Sequence, residues 1–157
     1  MRVKVMGRRR AVLYCYQENA IPTVMISVSD PRMHYVEYPF CSKSNQVLAI
    51  LELSFSDADD PKGLDVYGHE VTSNDLMSDE DGRKIAEFLG RHKDTDVIVH
   101  CDAGISRSAG IGAAILKAYT GDDSAIFDDG YHMPNMWCYR KTLNALVSDP
   151  MAKARGL

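Results

Sequence analysis

The stretch VIVHCDAGISRSAGIG, Val97 to Gly112, constrains this chain more than any other. It opens as an unbroken apolar run, the pattern of a short strand covered on both faces. It closes in Ala, Gly and Ile, which read as a helix. Between them lies a tight turn with Cys101 at one end and Arg107 at the other. A strand, a turn and a helix in this order gather successive backbone N–H groups around one point, an anion-binding nest. The helix adds its own unpaired N–H groups and the positive end of its dipole. Gly104 lets the backbone curl inward without a Cβ clash. Behind it stand Ala109, Gly110, Gly112, Ala113 and Ala114. Glycine inside a helix costs roughly 1 kcal/mol against alanine, so this run predicts a central helix packed closely on a sheet.

A cysteine at the focus of such a field is expected to react as a thiolate. The helix end supplies at most about 2 kcal/mol of that stabilisation. Hydrogen bonds from the loop amides and the charge of Arg107 must supply the rest. The guanidinium has a second task, because its planar fork matches two oxygens of a phosphate. The loop therefore describes a tetrahedral oxyanion ringed by the backbone of Asp102, Ala103, Gly104, Ile105 and Ser106. Arg107 clamps it above a sulfur nucleophile.

The rest of the chain sets the frame. Arg10–Tyr16 and Pro22–Asp30 are rich in Val, Ile, Tyr and Thr and read as strands, and His34–Phe40 as a weaker one. In Asn45–Pro61 a continuous apolar run turns into alternation, Leu51, Leu53 and Phe55 against Glu52, Ser54 and Ser56, and ends in an acidic turn closed by Pro61 and Gly63. Gly63–Asn74 has no period and reads as loop. Ser78–His92 is a helix capped by Ser78, with Asp79, Glu80 and Asp81 in its first turn and a stripe of Ile85, Phe88 and Leu89. Asp96–His100 is the apolar strand. Ser106–Gly121 is a helix stopped by Gly121, and Met133–Pro150 a third, with Pro134 in its first turn and Pro150 at its end. Strands first and helices later predict an α/β fold, a central mixed β-sheet flanked by α-helices.

With 157 residues the expectation is a single domain over 1–157. A chain of that length buries about 70% of its unfolded surface, enough for a core without disulfides or metal. The net charge of −4 argues against nucleic acid or an anionic membrane as partner. Cys15, Cys41, Cys101 and Cys138 form no C-x-x-C pair, so a zinc ribbon is not expected, and Cys15, Cys41 and Cys138 read as small core hydrophobes. Neither a secretory leader nor a membrane span is expected, which favours a reducing, cytoplasmic setting. Trp137 reads as core, Arg8 to Arg10 as a solvated turn, and His69 as a loop residue.

The run HCDAGISRS fits the H-C-x-x-G-x-x-R-[ST] signature at His100, Cys101, Gly104, Arg107 and Ser108. On these residues, with a strand before and a helix after, the chain resembles the protein tyrosine phosphatase superfamily, the cysteine-dependent phosphatases. The small size and the acidic turn upstream resemble its compact dual-specificity branch, and LELSFSDAD…VIVHCDAGISRSAG is most similar to prokaryotic and phage-type members. The resemblance runs from about Ile50 to Thr120. It implies hydrolysis of phosphate monoesters, phosphotyrosine and phosphoserine or phosphothreonine in proteins or small aryl phosphates, through a phosphocysteine on Cys101. Arg107 would hold the equatorial oxygens, Ser108 would donate to the sulfur as it leaves, and His100 would support the cysteine. Ser106 would contribute chiefly backbone, and no cofactor or metal is implied.

The resemblance also calls for an aspartic acid on a loop after an earlier strand. Asp57, directly after its strand, is the first candidate for that general acid, and Asp59 the second. Asp60, before Pro61, reads as a turn cap, and Asp65 and Asp75 lie in the irregular loop. Other functions fit the loop less well. A silent phosphate-binding module would normally lack the cysteine, the arginine or the acid. Arsenate reductases and sulfurtransferases place or compose the loop differently. A phosphoinositide phosphatase typically carries lysines in the loop, where this chain carries Asp102, a charge that disfavours a polyanion.

Overall fold

The computed structural model describes residues 1–40 and 46–149. Strands β1 (Val3–Gly7), β2 (Thr23–Ser29), β3 (Val47–Ser54) and β4 (Asp96–Cys101) form one sheet in the order β1-β4-β2-β3. Helix α1 (Arg8–Tyr16) follows β1, α2 (Asp79–Arg91) precedes β4, and α3 (Arg107–Thr120), the short α4 (Ser124–Phe127) and α5 (Met136–Ser148) follow it. Every pairing among the described strands is parallel, so the α/β class and flanking helices stand while the sheet is not mixed.

That difference has one cause. Arg10–Tyr16 is not a strand but most of α1, with Ala11, Val12 and Cys15 buried while Leu13 and Tyr16 face solvent. The strand lies just before it, at Val3–Gly7. A helix between two strands supplies the crossover that parallel pairing needs; reading it as a strand removes the crossover. No strand forms at His34–Phe40. Cys41 and Pro150 lie outside the described residues.

Both faces of the sheet are covered, as its apolar strands require. Val24, Ile26, Val28, Val97 and Val99 face Ile85, Leu89, Ile111, Ile115 and Leu146. The alternate residues Met25 and Ile98 face Ala11 and Cys15 of α1. Ser78 caps α2 through a reciprocal pair with Asp81, and Gly121 ends α3 at φ +79°. Pro134 lies just before α5 rather than in its first turn; Asn135 is the cap, accepting from the Cys138 N–H. Trp137 is packed against core residues and donates to the Met77 carbonyl at 2.9 Å.

With all strands parallel, their carboxyl ends, Gly7, Ser29, Ser54 and Cys101, share one edge. Ligands bind at that edge in open parallel sheets.

Candidate active site

Cys101 ends β4 and is buried. Its Sγ lies 3.1 Å from Ser108 Oγ and accepts from the Gly104 N–H at 3.3 Å. Gly104 has φ +76°, and a Cβ there would come within 2.4 Å of the Met6–Gly7 backbone. No other residue fits, so the close packing of β1 forces the turn that aims an N–H at the sulfur. The loop's carbonyls are taken from outside. Asp102 O accepts from Arg8 N at 3.2 Å, Ile105 O from Met133 N and Ser106 O from Asn135 N, both at 3.0 Å. In a trans peptide the N–H that follows points the opposite way, so the amides of Ala103, Ser106 and Arg107 point away from those outside partners, and the three residues line one cleft. Gly110 gives Asn135 room, since a Cβ there would lie 2.3 Å from the Asn135 carbonyl oxygen.

Arg107 is 1% exposed. Its Nη1 donates to the Phe55 carbonyl at 2.9 Å and its Nη2 to Asp102 Oδ2 at 3.2 Å. Its Nε is buried without a hydrogen-bond partner, 3.9 Å from Asp57 Oδ2. Burial opposes the charge, but Cys101, Asp57 and Asp102 outweigh it and push the guanidinium pKa above its ordinary value. A buried guanidinium held at two nitrogens with a third donor unused is preorganised for an anion.

Asp57 is buried beside it. Its Oδ1 accepts from Ser106 Oγ at 2.8 Å and from Asn135 Nδ2 at 2.9 Å, while Oδ2 faces Arg107 Nε and accepts no hydrogen bond from the described residues. Asp59 lines the same cleft but is exposed. Asp60 caps its own turn through Lys62 N, and Asp75 pairs with Thr72. The side chain of Ser106 therefore has a partner of its own and does not act through backbone alone.

His100 is fully buried, and burial drops its pKa to about 4, so the ring is neutral. Nδ1 lies 3.2 Å from the Cys101 carbonyl, which can only accept, and Nε2 lies 2.6 Å from Ser27 Oγ. The proton thus sits on Nδ1, and Nε2 accepts from Ser27. This ties the strand end bearing the cysteine to β2.

Asp102 proves to be a hub. Oδ1 accepts from Tyr35 Oη at 2.7 Å and lies 3.8 Å from Arg8 Nε; Oδ2 accepts from Tyr67 Oη at 2.9 Å and from Arg107. Burial opposes ionisation, but the Tyr35 hydroxyl and Arg107 outweigh it and hold the carboxyl below its usual pKa. Burial and the same carboxylate push Tyr35 and Tyr67 up, so both remain donors. Arg8 is not in a solvated turn. It is buried at the start of α1, its guanidinium 3.7 Å from the centre of the Tyr35 ring and hydrogen-bonded to Ser29 Oγ at 2.7 Å.

Cys101, Arg107, Asp57 and the loop from Asp102 to Ser106, Gly104 excepted, line one cleft of about 860 Å³. Arg8, Tyr35, Tyr67 and Asn135 are the partners that sequence reading misses. Only Asn135 leaves a local trace, as a cap residue before a helical run. Among the described residues no group of His, Cys, Asp and Glu is arranged to hold a metal ion.

A parallel sheet whose central strand runs through the Cys101–Arg107 loop into a buried helix is a fold this chain shares with solved structures of the protein tyrosine phosphatase superfamily. Two solved structures of PTPMT1 are similar to it, with TM-scores of 0.55 and 0.52 at 16% and 14% identity, over 99% of this chain and 94% and 95% of theirs. One of them holds PI(5)P. Human DUSP28 aligns over 98% of this chain and 93% of its own at 18% identity and a TM-score of 0.46. No family model matches the sequence, and no curated relative matches it.

Proposed function

We propose that the protein is one phosphatase domain that hydrolyses phosphate monoesters in phosphoproteins through a phosphocysteine intermediate. Cys101 Sγ attacks phosphorus, and the ester P–O bond breaks. Arg107 Nε, which has no hydrogen-bond partner among the described residues, together with the loop amides takes up the charge on the equatorial oxygens. Asp57 Oδ2 delivers a proton to the leaving oxygen. In the second step water attacks the phosphocysteine, Asp57 takes its proton, and the sulfur leaves with the Ser108 hydroxyl donating to it. The products are the free alcohol and inorganic phosphate. Ser106 and Asn135 position Asp57, and His100 positions the end of β4.

The observation that carries this reading is the convergence of three groups on one cleft: a sulfur already accepting a loop N–H, a buried guanidinium with a free donor, and a buried carboxylate. The Cys101→Ser protein tests it. Turnover of a small aryl phosphate should vanish while orthovanadate still binds, and acid-quenched wild type should carry phosphate on Cys101. Hydrolysis by the serine variant would refute the thiolate route.

The PTPMT1 structure with PI(5)P raises a phosphoinositide as the alternative substrate. Against it stand Asp102 in the loop and a cleft lining in which, among the described residues, Arg107 is the only cation. A head group with a second phosphate would find no partner there. Among the described residues no helix is long and apolar enough to cross a membrane.

A further inference from the structure

The rim of the cleft carries a feature that phosphate chemistry does not use. Leu64, Val66, Tyr67, Met133 and Met136 all line it, and all are exposed, Val66 at 62% and Met133 at 74%. An exposed cluster of large apolar side chains around a polar site marks a binding surface. These residues come from two segments, Leu64–Tyr67 ahead of α2 and Met133–Met136 at the start of α5.

Both segments are held in place. Asp65, its side chain fully buried, accepts from Tyr67 N at 2.9 Å and His69 N at 2.8 Å and pairs with Arg32 at 3.6 Å. Val66 N donates to the Asp57 carbonyl at 3.0 Å, and Tyr67 Oη is fixed on Asp102. Met133 N is bonded to the anion loop itself. The backbone is fastened while the apolar side chains are left bare, so ordering this surface costs a ligand little.

Charge selects the occupant. The same lining holds the carboxylates of Asp57, Asp59, Asp65 and Asp102 and, among the described residues, the single guanidinium of Arg107. Arg8 and Arg32, which flank the lining, are each engaged with one of its carboxylates, Arg8 with Asp102 and Arg32 with Asp65. One phosphate is matched here, and further negative charge is opposed.

We propose that this apolar collar binds the residues flanking the phosphorylated side chain, so that the preferred substrate is a singly phosphorylated peptide segment with large apolar neighbours and no acidic ones. The proposal rests on the phosphatase reading above and names its substrate class. An anionic bilayer is the competing occupant, and it is poorly matched because the described rim contributes no lysine.

The test compares phosphotyrosine peptides bearing Leu, Val or Met beside the phosphotyrosine with peptides bearing Ser or Glu there, alongside vesicles containing a phosphoinositide. One apolar side chain in a pocket is worth about tenfold or more in kcat/KM. The wild-type protein should favour the apolar peptides over the Glu peptides by at least about that factor. The Val66→Ser/Met133→Ser protein, checked as folded by its thermal melt, should lose most of the preference. Equal rates across the panel, a preference for Glu, or faster turnover of the vesicles than of any peptide would overturn the proposal. Should the wild-type protein hydrolyse nothing, small aryl phosphates included, the phosphatase reading fails instead. Anisotropy binding of the same peptides to the Cys101→Ser protein then decides the collar on its own.

Discussion

Lowering the pH should weaken this fold through one residue, His100. In the folded chain the ring is buried, donates from Nδ1 to the Cys101 carbonyl and accepts at Nε2 from Ser27, so its pKa falls from 6.5 to about 4. In the unfolded chain it titrates near the ordinary value, about 6.5. Between these values the unfolded state binds a proton that the folded state refuses. Stability therefore rises with pH across that window and is lost as pH falls through it, by up to about 1.4 kcal/mol per unit and about 3 kcal/mol in all. For a chain of this size that corresponds to roughly 6–12 °C in Tm. Urea unfolding at pH 7.5, 6.5, 5.5 and 4.5 measures it, with His100→Asn as reference, because other titrating groups contribute alike to both proteins. The wild-type curve should fall away from the reference between about pH 6.5 and 4. Parallel curves would refute the reasoning, since a buried neutral imidazole cannot leave the pH dependence untouched.

Arg107→Lys should lower kcat/KM for any phosphate monoester by about a hundredfold or more, because a point charge cannot reproduce the fork that Phe55 and Asp102 hold in place; near-normal kinetics would remove the clamp. Asp57→Asn should slow substrates with poor leaving groups by about 10²–10⁴ and activated aryl esters little, while Asp59→Asn does neither; the reverse pattern moves the acid by two residues. Asp102→Ala strands two arginines and two tyrosine hydroxyls, so it should cost about 2–4 kcal/mol in denaturant unfolding. Tyr67→Phe added to it should cost much less than it does in the wild type, and strict additivity would contradict the hub.

The parts of the site that lie close together in the chain are the parts a reader of the sequence can find. Cys101, Gly104, Arg107 and Ser108 fall within one turn and the helix start, and their chemistry dictates their spacing. Asp57 is reachable because it lies in an acidic turn just past an alternating strand. The helix α1 is not, for its N-cap is Gly7 with no side-chain bond and its first turn holds three arginines where acids are favoured. Its local signals are those of a strand, and only burial of Ala11 and Cys15 on the sheet decides for a helix. Arg8, Tyr35 and Tyr67 reach Asp102 from 94, 67 and 35 residues away by sequence number. Nothing local distinguishes such residues from surface arginines and loop tyrosines.

Asp102 shows what that distance conceals. Read locally, a carboxylate beside the nucleophile should repel the very anion the loop is built to hold. In the structure its charge is met by Arg8 on one oxygen and Arg107 on the other, and both tyrosines donate to it. Arg8 in effect replaces the positive charge that Asp102 withdraws from Arg107. On the proposed reading, the balance leaves Arg107 Nε and the loop amides for one phosphate, and the described lining of the cleft holds no further cation for a second. Two of these contacts fasten the Tyr35 and Tyr67 segments to the loop. On that reading, the acid that weakens the site's general attraction for anions also fixes its walls, so that selectivity for a single phosphate and rigidity of the cleft would come from one side chain.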